Sequence, residues 1–357
     1  MKRVFLCAYE RRNLGDDLFI QTIVRRYPRV RFCMKTDISN RETFRDLDNL
    51  VIPEQNGRLH RILGRIHPGL SNRYGSRWED HCHAMVYIGG SVFMEYPSSP
   101  QFVDWLKYQA GRHPFFVLGA NFGPFRTEDY REGVEEAFRM MADICFRDQY
   151  SCDLFPGNDR VRYAPDMLLA CPMPEVPVVP GQVFVSVIDT QGRDACNSNY
   201  PRNMARILQG YLNDGCSLVL ASFCRGEGDE AGIQKVLSAM GVQQDPRIRM
   251  LCYDGTNREE ILRTLAESDY VIASRFHAVI LAMAAGRPVL PVAYSDKLTH
   301  VLEDLDFGGT VFDLRREGDW EYKRSRANWD NPPEPVPAQL REAAERHFEV
   351  LDGFLRK

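Results

Sequence analysis

Apolar residues recur along this chain in two alternating patterns. Short continuous apolar runs occupy residues 3–9, 30–35, 84–88, 115–119 and 143–146. Runs this short, apolar on both faces and bounded by Gly or polar residues, predict strands buried in a parallel sheet. Between them, segments 15–27, 101–111 and 130–142 space their apolar residues three and four apart, which predicts amphipathic helices. Residues 163–166 read as one more strand end. The stretch 171–181, Cys-Pro-Met-Pro-Glu-Val-Pro-Val-Val-Pro-Gly, carries four prolines and reads as a semi-rigid linker. The pattern then restarts, with strands predicted at 183–188, 217–223, 248–253, 270–273, 289–293 and 310–313. Helices are predicted at 201–213, 230–240, 258–267, 278–285 and 298–306. A second proline cluster, 331–335, precedes an amphipathic segment, 338–357, expected as one helix packing back on the first domain. Strands alternating with helices in both halves predict an α/β protein of two Rossmann-like, doubly wound domains facing a cleft. The expected boundaries are 1–172, 182–330 and 331–357.

Residues 268–297 concentrate candidate chemistry. Ser274-Arg275-Phe276-His277 leaves one predicted strand, and Tyr294-Ser295-Asp296-Lys297 leaves the next. Arg275, His277 and Lys297 therefore stand at the carboxyl ends of successive strands, where open α/β sheets bind ligands. The first of these turns opens a helix, whose N-terminus favours an anion. His277 also reads as a buried, hydrogen-bonded histidine at a helix start, and both readings stay open at this point.

The first half offers further candidates. Asp16 and Asp17 follow the first strand, and there they either serve chemistry or complement a helix dipole. Gly89-Gly90-Ser91 follows the strand 84–88, where glycine lets backbone approach a ligand. Asn121 follows 115–119. Arg147-Asp148 follows 143–146, with Ser151 placed to cap what comes next. Arg147 and Asp148 read equally as a local ion pair.

Bulk properties narrow the class. A 357-residue chain is long for one core, and two domains follow. A net charge of −4 argues against nucleic acid as a global partner. No apolar run approaches the roughly 18 residues that span a bilayer, and the N-terminal run lacks a signal-peptide pattern, so a cytoplasmic protein is expected. The ten cysteines include no Cys-x-x-Cys pair, which fits free thiols. His81-Cys82-His83 is the one metal-like cluster. Adjacent side chains on extended backbone point to opposite faces, so no metal site is expected. Residues 57–78 carry Arg58, Arg61, Arg65, Arg73 and Arg77 with His60 and His67 and no acid. They read either as a solvated basic segment or as an amphipathic segment in weak, salt-sensitive contact with an anionic membrane surface.

Several of these stretches together resemble the polysaccharide pyruvyl transferase family. Arg275-Phe276-His277-Ala278 followed by Tyr294-x-x-Lys297 is similar to that family's C-terminal motif. Asn13-Leu14-Gly15-Asp16-Asp17, Ile88-Gly89-Gly90-Ser91, Gly119-Ala120-Asn121-Phe122-Gly123-Pro124, Phe146-Arg147-Asp148-x-x-Ser151 and Ala164-Pro165-Asp166 follow the pattern in order. The resemblance covers roughly residues 1–310, and Ser91 departs from it where many relatives have a third glycine. The resemblance implies a glycosyltransferase B fold. It implies transfer of pyruvate from phosphoenolpyruvate to two hydroxyls of a sugar, forming a ketal. On that reading the first domain takes the acceptor and the second the donor. Arg147, Arg275 and Lys297 are within reach of one anion, with Phe276, Gly89, Gly90, Asn121 and Ser151 completing the binding set. His277 would deliver a proton, and Asp16 or Asp17 would orient an acceptor hydroxyl. No metal or other cofactor is needed, because the basic residues already meet the donor's charge. Acceptors of this family are often lipid-linked, which implies work at the inner face of the membrane. A homo-oligomer is left open. Two other readings stand beside this one: a sugar-nucleotide-dependent glycosyltransferase of the same fold, and a non-catalytic sugar-binding protein.

Overall fold

The computed structural model describes residues 1–9, 11–53, 78–191, 199–242, 244–316 and 318–356. The basic segment between Gly57 and Arg77 lies outside them. Two compact units form. One comprises Met1–Glu10, Asp16–Ala164 and Glu345–Lys357; the other comprises Arg11–Gly15 and Pro165–Ala344. The division at Ala164/Pro165 precedes the proline-rich stretch, because Met167–Ala170 forms a 3-10 turn that packs within the second unit.

The first unit is built on a seven-stranded parallel sheet, ordered β3-β2-β1-β4-β5-β6-β7. Its strands are β1 Arg3–Ala8, β2 Arg31–Met34, β3 Leu50–Val51, β4 Ala84–Ile88, β5 Phe115–Ala120, β6 Asp143–Phe146 and β7 Val161–Tyr163. The helices α1 Leu14–Arg26, α2 Ser99–Ala110, α3 Glu128–Met140 and α4 Gln149–Asp153 complete it. The two-residue β3 was not legible as a strand, being too short to show a period. The core is rich in rings: Phe93 meets Phe138 edge-on at 5.1 Å, and Phe122 meets Phe155 at 4.9 Å. Burying each such ring contributes about 1.5–3 kcal/mol, and the edge-on geometry adds about 0.5–1.5.

The second unit repeats the plan with a six-stranded parallel sheet, ordered β10-β9-β8-β11-β12-β13. Its strands are β8 Val179–Ser186, β9 Ser217–Ser222, β10 Ile248–Cys252, β11 Ser268–Ala273, β12 Val289–Ala293 and β13 Phe312–Asp313. The principal helices are α5 Tyr200–Asn213, α6 Asp229–Met240, α7 Arg258–Glu267, α8 Phe276–Ala284 and α9 Asp296–Asp304. Every residue of α8 is buried, as its unbroken apolar sequence requires. Arg341 donates to the carbonyls of Met283 and Ala284 and so satisfies acceptors at the end of α8.

In each sheet the chain doubles back beside its first strand. That places a topological switch between β1 and β4 in one unit and between β8 and β11 in the other. Ligands of open α/β sheets bind outside the carboxyl ends of strands at such a point.

One expected element is revised. Residues 338–357 do not form a single helix. Ala338–Ala344 is α-helical, Glu345–Phe348 is 3-10, and Glu349–Arg356 is α-helical again. Arg162 takes the carbonyls of Arg346 and His347 at 2.7 and 3.0 Å, and those oxygens would otherwise belong to the helix ladder. The final helix is held in the first unit by Arg26 and Tyr27 on Asp352, and by Lys2 on the Phe354 carbonyl. No described helix is long and apolar enough to cross a membrane.

Candidate functional site

In the second unit the site is organised where β11 hands over to α8. The N–H groups of Ser274 and Arg275 both donate to Oγ of Ser186 on β8, at 3.1 and 3.0 Å. This pins the strand end beside its sheet neighbour and fixes where α8 begins. Arg275 is the N-cap residue, in extended conformation. Its guanidinium turns onto Asp229, which is fully buried: Nε lies 3.1 and 3.0 Å from the two oxygens, and Nη2 also bonds Oδ1. Nη1 meets Glu227 at 2.6 Å. Asp229 in turn accepts from the N–H groups of Phe223 and Cys224 at 2.9 and 2.8 Å, which ties the carboxyl end of β9 into the same network. Burial opposes the charge on Arg275, but Asp229 and Glu227 more than offset it and hold the guanidinium's pKa above its ordinary value.

This revises the expectation for Arg275. It is not a free fork for a ligand anion, because its guanidinium is already matched by two carboxylates. It holds three strand ends together beneath the start of α8.

His277 follows in the first turn of α8 and is 9% exposed. Its ring stands edge-on to Phe276, with centroids 5.1 Å apart. Phe276 is itself buried, so its ring sets the orientation of His277 rather than lining an open surface. Nε2 of His277 stands 3.9 Å from Oδ2 of Asp166, which is wholly buried. The other oxygen of Asp166 accepts the Leu168 N–H at 2.9 Å and so caps the Met167–Ala170 turn. The opposite edge of the imidazole lies against Gly15. A Cβ there would stand 2.6 Å from Cε1 and closer still to Nδ1 and Cγ, so no larger residue fits. Gly15 is held in turn by Asn13, whose Oδ1 accepts its N–H at 3.1 Å, and Leu14 N–H bonds the Phe223 carbonyl at 3.0 Å. Lys297 opens α9, with Nζ 5.1 Å from the centre of the Tyr294 ring.

In the first unit the candidates cluster past β4, β5 and β6. Arg147 is 2% exposed, and its guanidinium lies flat against Gly90: a Cβ on Gly90 would meet Nη2 at 2.6 Å and Cζ at 2.7 Å. Nη2 donates to Oδ1 of Asn121 at 2.8 Å, an oxygen that also accepts from Ser91 Oγ at 3.3 Å. The Asn121 N–H donates to the Gly90 carbonyl at 2.8 Å. Asn121 thus orients Arg147, and the serine that replaces a third glycine joins the same network. A Cβ on Gly89 would stand 3.7 Å from Oδ1 of Asp16, so that carboxylate lies against the Gly89 turn. Asp16 and Asp17 are 8% and 2% exposed, in the first turn of α1.

Ser151 has a different role from the one expected. Asp148 is the N-cap of α4, accepting the Ser151 N–H at 2.8 Å. Ser151 is fully buried, and its hydroxyl accepts the Phe122 N–H at 2.7 Å. It supports the loop carrying Asn121 and presents nothing to a ligand. In the other cluster, the His83 ring accepts the Arg3 N–H at 3.2 Å and Cys82 lies 3.8 Å from His113. These residues are used locally. The described cysteines are all free thiols.

Sequence reasoning gave no part to Asp229, Glu227, Ser186 or Asn13, and no role to Asp166. Only Asp166 and Asn13 left a signal, through the motifs Ala164-Pro165-Asp166 and Asn13-Leu14-Gly15. The others are single polar residues at strand or helix ends, and their partners lie far away in the chain.

Comparison with known proteins bears on this arrangement. A family model described as polysaccharide pyruvyl transferase matches residues 13–296. The amylovoran biosynthesis protein AmsJ of Erwinia amylovora is 22% identical over 256 residues, which covers 65% of this chain and 61% of that protein. Among solved structures, the UDP-GlcNAc 2-epimerase of Methanocaldococcus jannaschii is similar with a TM-score of 0.60 at 9% identity, covering 99% of this chain and 100% of that one. The Anabaena protein Alr3699/HepE, solved with UDP-glucose, is similar with a TM-score of 0.57 at 12% identity, covering 99% and 96%. At such identities these structures speak for the fold alone, two Rossmann-like domains of the glycosyltransferase B type. The match over residues 13–296, which takes in every candidate site residue but Lys297, shows that the chain belongs to the polysaccharide pyruvyl transferase family.

Proposed function

We propose that the protein transfers a pyruvyl group from phosphoenolpyruvate to two hydroxyls of a sugar in a cell-surface polysaccharide or its precursor. The observation that carries this reading is His277, held between Asp166 and Gly15 at the start of α8, in a chain of this family. A sugar hydroxyl adds to C2 of the donor while C3 takes a proton from the imidazole. The hydroxyl's own proton returns to His277. The second hydroxyl then displaces phosphate from C2, closing the ketal, and its proton leaves with the phosphate. General acid catalysis of this kind contributes about 10²- to 10⁴-fold.

Lys297 supplies a positive point charge for the donor's anionic groups, and Arg147 offers a planar fork for a carboxylate or phosphate. Asp16 or Asp17 orients an acceptor hydroxyl. The family relationship and AmsJ, named for amylovoran biosynthesis, favour a polysaccharide acceptor.

The test is incubation with phosphoenolpyruvate and a panel of galactosides, mannosides and N-acetylhexosamines, with phosphate release and product mass as readouts. Pyruvylation adds about 70 Da per acceptor, from the ketal's composition, whereas a glycosyltransferase adds a hexose from a sugar nucleotide. Phosphate release without a product of that mass, on every acceptor, overturns the reading.

A further inference from the structure

We infer that Asp166 is the positioning residue for His277. It faces the imidazole at Nε2, fixes the ring's orientation and favours its protonated form. This rests on the reading that His277 is the proton donor.

Three observations converge on the pair. Asp166 is wholly buried, with Oδ2 turned to Nε2 of His277 at 3.9 Å. Burying a carboxylate is costly unless a positive or donating partner offsets it, and an imidazolium at ion-pair distance is such a partner. Second, Asp166 cannot easily turn away, because its other oxygen is fixed by the Leu168 N–H at 2.9 Å. The carboxylate is thus aimed by the backbone of the turn it caps. Third, the two edges of the imidazole have different neighbours. Nε2 faces a carboxylate, whereas Nδ1 and Cγ pack directly against Gly15, where a Cβ would overlap them, so the ring is held on both flanks. A carboxylate facing one ring nitrogen, with backbone closing the other flank, fixes the ring's orientation.

The same geometry explains why Asp166 stands just after β7 rather than on a surface loop. Met167–Ala170 packs against α8, so the carboxylate and the imidazole ride on elements that touch each other. The pairing is built into the packing of the second unit and does not depend on a flexible side chain.

Asp166→Asn is the direct test, since an asparagine oxygen can still cap the Leu168 N–H while the charge is lost. The full-length protein is assayed for phosphate release and for its melting temperature. The expected result is a fall in kcat of about 10-fold or more, with KM for phosphoenolpyruvate changed far less. The same substitution made on top of His277→Gln is expected to cause no further loss, because the residue acts through the imidazole. A merely structural role would lower both backgrounds alike. If Asp166→Asn lowers the melting temperature, Asp166→Ser, which also caps, takes its place in the same cycle. Unchanged kcat in a folded variant overturns the inference, and so does an equal loss in the His277→Gln background. Wild-type turnover in His277→Gln alone would instead overturn the proton-donor reading itself, so the two failures are distinguishable.

Discussion

Gly15 lies so close against the flank of the His277 imidazole that no side chain fits between them. A Cβ on Gly15 would lie 2.6 Å from Cε1 of His277 and overlap Nδ1. Gly15→Ala must therefore push the ring off Asp166. Alanine is the better helix former by up to about 1 kcal/mol, so α1 itself loses nothing. We expect kcat for phosphate release to fall by about 10² or more, the lower end of what a general acid contributes, and the melting temperature to fall as well, since overpacking a filled site costs about 1–3 kcal/mol. Near-normal turnover would show that the ring's placement is not critical.

His277→Gln separates chemistry from binding. Its proposed part is proton transfer, so kcat should drop by about 10² or more while affinity for phosphoenolpyruvate changes far less. Single-turnover phosphate release together with calorimetric titration reads both quantities.

Gly90→Ala acts on Arg147. The added methyl would stand 2.6 Å from Nη2, so the guanidinium must leave its place against the backbone and its bond to Asn121. If Arg147 contacts the donor, the loss of a charge-assisted bond of about 1.5–3 kcal/mol weakens binding roughly 10- to 150-fold. Calorimetry with phosphoenolpyruvate measures it, and wild-type affinity would remove Arg147 from the donor site.

Arg275→Ala and Lys297→Ala should part company. Removing Arg275 leaves Asp229 buried without its cation, which costs about 3–5 kcal/mol of stability. Lys297 sits partly exposed at the start of α9, so its removal should leave the urea midpoint in place and weaken donor affinity roughly 10- to 150-fold. A stable Arg275→Ala protein with reduced affinity would restore Arg275 as a direct ligand.

The terminal helix should loosen in acid. Burial pushes the Asp352 carboxyl up, but Arg26, at 2.8 and 3.2 Å, and the Tyr27 hydroxyl, at 2.7 Å, outweigh it, and the pKa lies below the ordinary 3.8. A depressed folded value means the stabilisation is complete above the ordinary pKa and is lost as pH falls through the folded one. Amide exchange over Glu349–Arg356 should therefore accelerate ahead of the sheet below about pH 4. Asp352→Asn should abolish that pH dependence. Equal acceleration in the variant would place the acid-sensitive group elsewhere.

The alternation of apolar runs with amphipathic helices determined two α/β sheets. Several element bounds, such as Ala84–Ile88, Arg258–Glu267 and Val289–Ala293, were legible without coordinates. Hydrophobic periodicity is local, and a buried parallel strand must be apolar along its length whatever lies beside it. The order of short motifs determined the family for the same reason, since each motif is contiguous. Partnerships were not legible. That Arg275 faces Asp229 follows from β8 lying beside both β9 and β11, which brings those strand ends together although the two residues are 46 positions apart. That Ser151 supports Phe122 while Asp148 caps α4 depends on how a loop from β5 passes over β6. That Gly15 and Asp166 enclose His277 depends on where the chain enters α1 and leaves β7. In each case the deciding quantity is a distance between segments remote in the chain. Chain entropy leaves such distances unset until the sheets pair and the helices pack over them.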